Sequence, residues 1–230
     1  MDRIVRQLSS WAPPEHWYHI ETIDMHTGGE PLRIVCSGLP DLSEGTVLER
    51  RRLMLERFDS LRTQLMWEPR GHADMYGCII MAAERSDSDF AVLFLHNAGY
   101  STMCGHAIIA LGKLAVLTGL VPVTEPETAV IIDTPAGQIH AWTEVVDGQP
   151  GRVRFHNVPS FAPILDGVVE VDGLGSLPFD LAYGGAFYAF INVCDVGLTG
   201  CADEIDRLID YGRRIKQAVV AQHAIEHPLD

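Results

Sequence analysis

The sequence predicts a mixed α/β chain (α+β in its strand pairing) built as two pseudo-symmetric halves. Three observations support that expectation. Short apolar and β-branched runs bounded by turn residues, such as 90–95 and 137–146, have strand length, whereas 107–120 is too long and too rich in Ala and Leu for a strand. A Gly-Gly hairpin followed by a long helical pattern occurs twice. Landmarks in the two copies recur at a nearly constant offset: Gly28 with Gly184, Thr46 with Asp203 and Pro69 with Pro228, shifts of 156, 157 and 159. Chance recurrence of Gly-Gly and Pro is the competing explanation. The halves expected are 18–158 and 159–230. A counterpart of Cys104 would fall near position 260, so the second half is expected to be incomplete.

Taken in order, residues 1–17 read as a loosely ordered lead-in, because Pro13-Pro14 stops any helix. Strands at 18–25 and 32–36 flank His26-Thr27-Gly28-Gly29-Glu30-Pro31 as a β-hairpin. Thr46 and Glu49 have capping-box spacing, and Val47, Met54, Phe58, Leu61 and Leu65 mark one face of a single helix ending before Pro69. Strands at 75–83 and 90–95 follow, then the turn-forming 97–102 and the helix, which Gly119 and Pro122 end. Further strands are expected at 128–132, 137–146 and 152–156. The second half supplies strands at 168–171, 177–183 and 187–193 and a helix at 203–225, with Ile205, Leu208, Ile215 and Val219 on one face.

Composition narrows the function classes. A chain of 230 residues with 47% hydrophobic and 21% charged residues can bury a sizeable core, which argues against disorder. Its formal net charge of −14 argues against a nucleic-acid or anionic-membrane partner, and Arg50–Arg52 reads as a solvated helical face. No apolar run reaches membrane-spanning length and the first residues lack a signal-peptide core, so a cytoplasmic location is expected. Five cysteines without a C-x-x-C pair suggest reduced thiols.

The stretch richest in chemistry is His96–Leu111. It places Cys104 at or near a helix N-terminus, where free backbone N–H groups and the helix dipole favour a thiolate, and Gly105 leaves room for a ligand. The same N–H groups can hold a carboxylate, and His106 lies within reach of either thiolate or substrate. A thiolate beside a carboxylate cradle suits proton abstraction from the α-carbon of an amino or imino acid. The bland alternative is a packed thiol without chemistry. His26, His72, His96 and His106 lack zinc-site spacing. Cys104 with His106 as a hydrolase pair is disfavoured, since residues two apart at a helix start rarely align for it. Cys36, Cys78, Cys194 and Cys201 read as packed or neutral thiols.

Four stretches in order carry a resemblance: Asp24-Met25-His26-Thr27-Gly28-Gly29-Glu30-Pro31; Glu68-Pro69-Arg70-Gly71-His72-Ala73-Asp74-Met75-Tyr76-Gly77; the Cys104 segment; and Ala182-Tyr183-Gly184-Gly185-Ala186-Phe187-Tyr188-Ala189. They resemble the proline racemase family, and within it the branch of trans-3-hydroxy-L-proline dehydratases. The resemblance implies a fold like that of diaminopimelate epimerase, two similar halves around a cleft. It implies Cys104 as the base that removes the α-proton, with the backbone amides of Gly105 and His106 binding substrate. Neither metal nor organic cofactor is implied.

The implied reaction is loss of the 3-hydroxyl and formation of Δ1-pyrroline-2-carboxylate. The alternatives are a cofactor-independent 4-hydroxyproline 2-epimerase or proline racemase, or a folded, inactive homologue that associates with itself. The family's second catalytic stretch, Asp-Arg-Ser-Pro followed by Cys or Thr, does not occur in these 230 residues, so the chain is expected to be truncated before it. The partner implied is a small imino acid, with no nucleic acid or membrane, and a homodimer stays open.

Overall fold

The computed structural model describes residues 2–227, so Pro228, one of the repeat landmarks, lies outside the described residues. The chain divides between His156 and Asn157 into two compact units. The first contains α1 (Asp2–Ser9), β1 (Glu21–Thr27), β2 (Glu30–Ser37), α2 (Val47–Arg57), α3 (Asp59–Met66), β3 (Tyr76–Met81), β4 (Phe90–His96), β5 (Gly99–Ser101), α4 (Gly105–Thr118), β6 (Glu127–Thr134), β7 (Gly137–Val146) and β8 (Gln149–His156). Its sheet runs β1-β2-β3-β4-β6-β7-β8, with β5 paired to β4. The β2–β3 and β4–β6 pairs are parallel and the other ladders antiparallel.

Helices cover both faces of this sheet, which explains why β4 reads as an unbroken apolar run. Ala91, Leu93 and Leu95 join Val35, Ile79 and Met81 in the core that Val47 and Met54 of α2 and Leu65 and Met66 of α3 close. The alternate residues, Val92, Phe94 and His96 on β4 and Tyr76 and Cys78 on β3, therefore point to the opposite face. That parity carries Tyr76 to the second face of the sheet. There α4 packs on β8, β1 and β7, burying Ile108, Leu111, Leu114 and Val116.

Some expectations need correction in this unit. Arg50, expected on a solvated helical face, is buried and donates Nη1 to the Ala82 carbonyl at 2.6 Å and Nη2 to the Ser43 carbonyl at 3.2 Å. Residues 2–9 form a helix rather than an unstructured lead-in; nothing before Pro13 forbids one, and its residues 3–9 are exposed. The single helix expected from Val47 to Leu65 is two, because Phe58 leaves helical geometry (φ −130°, ψ 16°). Its N–H closes α2 on the Met54 carbonyl at 3.0 Å, and its ring packs into the core. Asp59 then opens α3 by accepting both Nε and Nη2 of Arg62 at 2.7 and 2.8 Å. The apolar spacing runs through the break unchanged, so the pattern alone does not reveal it. The capping box of Thr46 and Glu49 is present in both directions.

The second unit contains β9 (Phe161–Val171), β10 (Gly175–Tyr183), β11 (Phe187–Phe190) and α5 (Ile205–Gln222). Its antiparallel sheet has the order β11-β10-β9. Ile215 and Val219 of α5 pack on Val169, Val171, Leu177, Phe179 and Leu181. The strand expected to reach residue 193 stops at Phe190, because Asn192 caps a 3₁₀ turn over Val193–Val196 by accepting the Cys194 N–H at 3.0 Å. The helix starts two residues later than expected. Asp203 lies in a 3₁₀ turn, and Glu204 instead accepts the Thr199 and Gly200 N–H groups at 2.7 and 3.1 Å. Ile205, placed on the apolar face by its spacing, is exposed. No described helix is long and apolar enough to cross a membrane.

Candidate active site

The turn between β4 and α4 is fixed before it reaches Cys104. Asn97 donates its Nδ2 to the Met66 and His72 carbonyls at 2.8 and 2.9 Å, and Arg62 donates Nη1 to the His96 and Asn97 carbonyls. Further on, the Ser101 hydroxyl donates to the Met103 carbonyl at 2.9 Å and the Ala136 N–H to Thr102 at 3.1 Å. Cys104 is the N-cap of α4, in extended backbone conformation (φ −149°, ψ 107°), with its carbonyl accepting the Ile108 N–H. Its side chain makes no capping hydrogen bond, although the first N–H groups of the helix lie close enough to favour the anion of the sulfur.

Three side chains complete the surroundings. His106 Nδ1 lies 3.1 Å from the Cys104 sulfur, and the first turn that carries it is tied to β1 by the Thr27 hydroxyl, which donates to the His106 carbonyl at 2.8 Å. Tyr76 also lies near the sulfur, where its side chain favours the anion. Its ring meets His106 edge to face at 5.0 Å and its cross-strand neighbour His96 at 5.6 Å. Gly105 serves packing: a Cβ there would lie 3.1 Å from Phe155 Cζ, so the glycine lets the helix start approach β8.

The electrostatics reverse one expectation from the sequence. Burial pushes the Cys104 thiol up to about 11, against the opposing pull of the Ala107 N–H, the Tyr76 hydroxyl and the His106 N–H, while the Glu30 carboxylate raises it further. The helix start does favour the thiolate, yet with the residue only 7% exposed desolvation is the larger effect. At pH 7 roughly one site in ten thousand would carry the anion. The resting group is a thiol beside an imidazole.

The histidines singled out in the sequence do not come together as a metal set. His26 Nδ1 accepts the Gly29 N–H inside the hairpin at 3.3 Å, and His96 Nδ1 accepts the Ala98 N–H at 3.2 Å. Among the described residues no three His, Cys, Asp or Glu side chains form a set that could hold a metal. All five cysteines are free.

The stretch from Glu68 to Gly77 works largely as scaffold. Arg33 grips the Asp24 carboxylate at 2.9 and 2.8 Å and donates to the Leu65 and Arg70 carbonyls at 3.0 and 2.6 Å, holding the loop from which β3 departs. Reading residues for chemistry alone left Tyr76, Thr27 and Phe155 without a role. Strand parity was the available signal for Tyr76, since it shares a face with Cys78 and His96.

Comparison with known proteins follows the same lines. The proline racemase family model matches residues 22–230. A trans-3-hydroxy-L-proline dehydratase of Colwellia psychrerythraea is 48% identical over 225 residues, covering 96% of this chain and 63% of the relative. A trans-3-hydroxy-L-proline dehydratase of Homo sapiens is 47% identical, covering 91% and 60%. Among solved structures, a hydroxyproline epimerase from Agrobacterium vitis with bound trans-4-hydroxy-L-proline superposes with a TM-score of 0.85 at 29% identity, covering 91% of this chain and 62% of that one. The chain thus spans a little over 60% of the length of the Colwellia relative and of that structure.

Proposed function

The chain belongs to the proline racemase family, and from that premise we propose that it carries the base-bearing part of a hydro-lyase that converts trans-3-hydroxy-L-proline to Δ1-pyrroline-2-carboxylate. The observation that carries this reading is the Cys104 sulfur at the α4 N-cap, 3.1 Å from His106 Nδ1 and beside the first N–H groups of the helix, which its side chain does not cap. Identity of 47–48% to dehydratases favours this reaction over epimerisation.

In the proposed mechanism the substrate carboxylate is held by the Gly105 and His106 amides, and its ring ammonium brings a positive charge to the sulfur. That charge favours the thiolate which burial suppresses, with His106 able to accept the thiol proton. The thiolate takes the proton from C2. The electron pair left on C2 forms the C2–C3 double bond as the 3-hydroxyl leaves as water with the proton that His106 took from the thiol, and the resulting enamine tautomerises to the Δ1-imine. Helix-end dipoles and exclusion of water stabilise the developing carbanion. No metal or organic cofactor takes part. The same reading assigns the base to a half spanning 18–158, begins the second half at 159, and places the protein in the cytoplasm, alone or as a homodimer.

The second reading, epimerisation of 4-hydroxyproline at C2, is favoured by the likeness to the Agrobacterium vitis epimerase. One experiment separates them: incubation with trans-3-hydroxy-L-proline, trans-4-hydroxy-L-proline and L-proline in D₂O, followed by NMR. Consumption of the 3-hydroxy isomer with appearance of the cyclic imine supports dehydration. Deuterium at C2 with an inverted isomer of the 4-hydroxy compound supports epimerisation. No change in any substrate would overturn catalysis by this chain and leave the folded, inactive homologue.

A further inference from the structure

The hairpin of β1 and β2 brings two side chains to the start of α4. Thr27 and Glu30 are directly opposed across the two-residue turn Gly28-Gly29, whose glycines take φ 61° and 101°. Opposed residues of an antiparallel pair project from the same face of the sheet. The Thr27 hydroxyl shows which face this is, since it donates to the His106 carbonyl at 2.8 Å. Glu30 therefore rises beside the first turn of α4, on the face that continues through Leu32 and Ile34, both fully buried and neither part of the core closed by α2 and α3. Its side chain is exposed and makes no hydrogen bond or ion pair among the described residues. Arg33, the cation of β2, projects from the opposite face, where it holds Asp24.

We propose that Glu30 is a substrate-recognition residue: its carboxylate receives the ring ammonium of the imino acid whose own carboxylate lies on the Gly105 and His106 amides. This deepens the reading of the site given above and rests on it. In a proline-like substrate the nitrogen and the carboxylate are both attached to C2, so anchors of opposite charge on the hairpin and on the helix start fix the side that C2 presents to Cys104. The ammonium–carboxylate contact is a charge-assisted hydrogen bond, and a site built to bond a substrate N–H rejects an analogue that lacks it. A carboxylate near a thiol opposes the thiolate when nothing stands between them, and Glu30 does raise the Cys104 thiol. A cation held by Glu30 reverses that opposition, so binding of the ammonium and formation of the thiolate favour each other.

The test compares L-proline with (S)-tetrahydrofuran-2-carboxylate, which keeps the ring and the carboxylate and has an ether oxygen in place of the ammonium. Each is titrated at pH 7 into the 230-residue chain, with the Gly105 and His106 amides followed by NMR. The wild type should hold proline about tenfold more tightly than the ether. Glu30→Gln keeps the size of an exposed side chain and removes its charge. It should weaken proline about tenfold and leave the ether within about twofold, bringing the ratio near one. Glu30→Asp keeps the charge on a shorter stem and should retain part of the preference. No preference for proline in the wild type, or a preference unchanged in Glu30→Gln, would overturn the role of Glu30 and leave the helix-start cradle in place. If neither compound moves either amide, the cradle falls and this inference with it. A preference that collapses in Glu30→Gln, in a chain that turns over no proline isomer, would sink the catalytic reading and leave the ammonium site standing.

Discussion

Asp133 and Cys104 are both buried ionisable groups, and they are pushed in opposite directions. Burial works against the charge of Asp133, which is 1% exposed, yet the Arg85 and Glu84 N–H groups, the Ser88 hydroxyl and the Arg85 guanidinium together hold its carboxyl below the usual carboxylate range. Replacing it with Asn in Asp133→Asn removes the charge-assisted bonds and should destabilise the fold by about 2 kcal/mol at pH 7. A carboxyl whose native pKa is depressed adds stability above the unfolded value near 3.9, and that contribution is lost as pH falls through the native value. Urea unfolding at pH 7 and pH 3 should therefore show the gap between wild type and variant shrinking in acid; a constant gap would mean the carboxylate charge is not what stabilises. Cys104 has fewer donors and remains a thiol. Cys104→Ser should abolish turnover with circular dichroism unchanged, because the serine hydroxyl is a far weaker acid, and retention of more than a few per cent would remove Cys104 as the base. At this scale the sequence made Cys104, Gly105 and His106 visible through their spacing. It could not show the direction of the Cys104 shift, which depends on how deeply the sheet buries the helix start.

At the scale of elements, the strands and α4 were legible because their apolar periods differ and their ends carry Gly, Pro or cap residues. The β6–β7 hairpin pairs Thr134 with Gly137, so the turn Thr134-Pro135-Ala136-Gly137 lies where turn chemistry put it. The break at Phe58 between α2 and α3 was illegible, because the apolar spacing runs through it and the bonds from Arg62 of α3 to the His96 and Asn97 carbonyls are long-range contacts invisible in local spacing. Two element-level outcomes follow from contacts. Thr46→Ala removes the cap on α2 and should lower stability by about 1 kcal/mol, measured by thermal unfolding against wild type. On α4, a Cβ at Gly112 would meet Val153 Cγ1 at 2.8 Å and Thr143 Oγ1 at 3.0 Å. Gly112→Val should accordingly lose about 1–3 kcal/mol, as the helix is forced away from β7 and β8. If the variant unfolds like wild type, the helix is not held by that close approach.

At the scale of the molecule, a hairpin followed by helix occurs in each unit, β1–β2 with α2 and α3 and β10–β11 with α5, while the difference in size between the two packed cores was not legible in the sequence. In the first unit an eight-stranded sheet is covered by α2 and α3 on one face and α4 on the other, so most of its apolar strand residues are buried within the unit. In the second unit three strands meet one helix. A groove of about 880 Å³ remains between α5 and the β10–β11 edge, lined by Leu181, Phe187, Leu208, Tyr211, Ile215 and Val219. A core of that size is marginal by itself, since small domains bury too small a fraction of their surface to offset chain entropy. Residues 1–156 expressed alone should thus unfold cooperatively in urea and keep the wild-type pH profile of Cys104 alkylation, because every side chain named around the sulfur belongs to that unit. Residues 157–230 alone should show no cooperative transition and should bind a hydrophobic dye. If the first fragment fails to unfold cooperatively, the half carrying Cys104 is not an autonomous fold, and the orientation of its base depends on residues beyond His156.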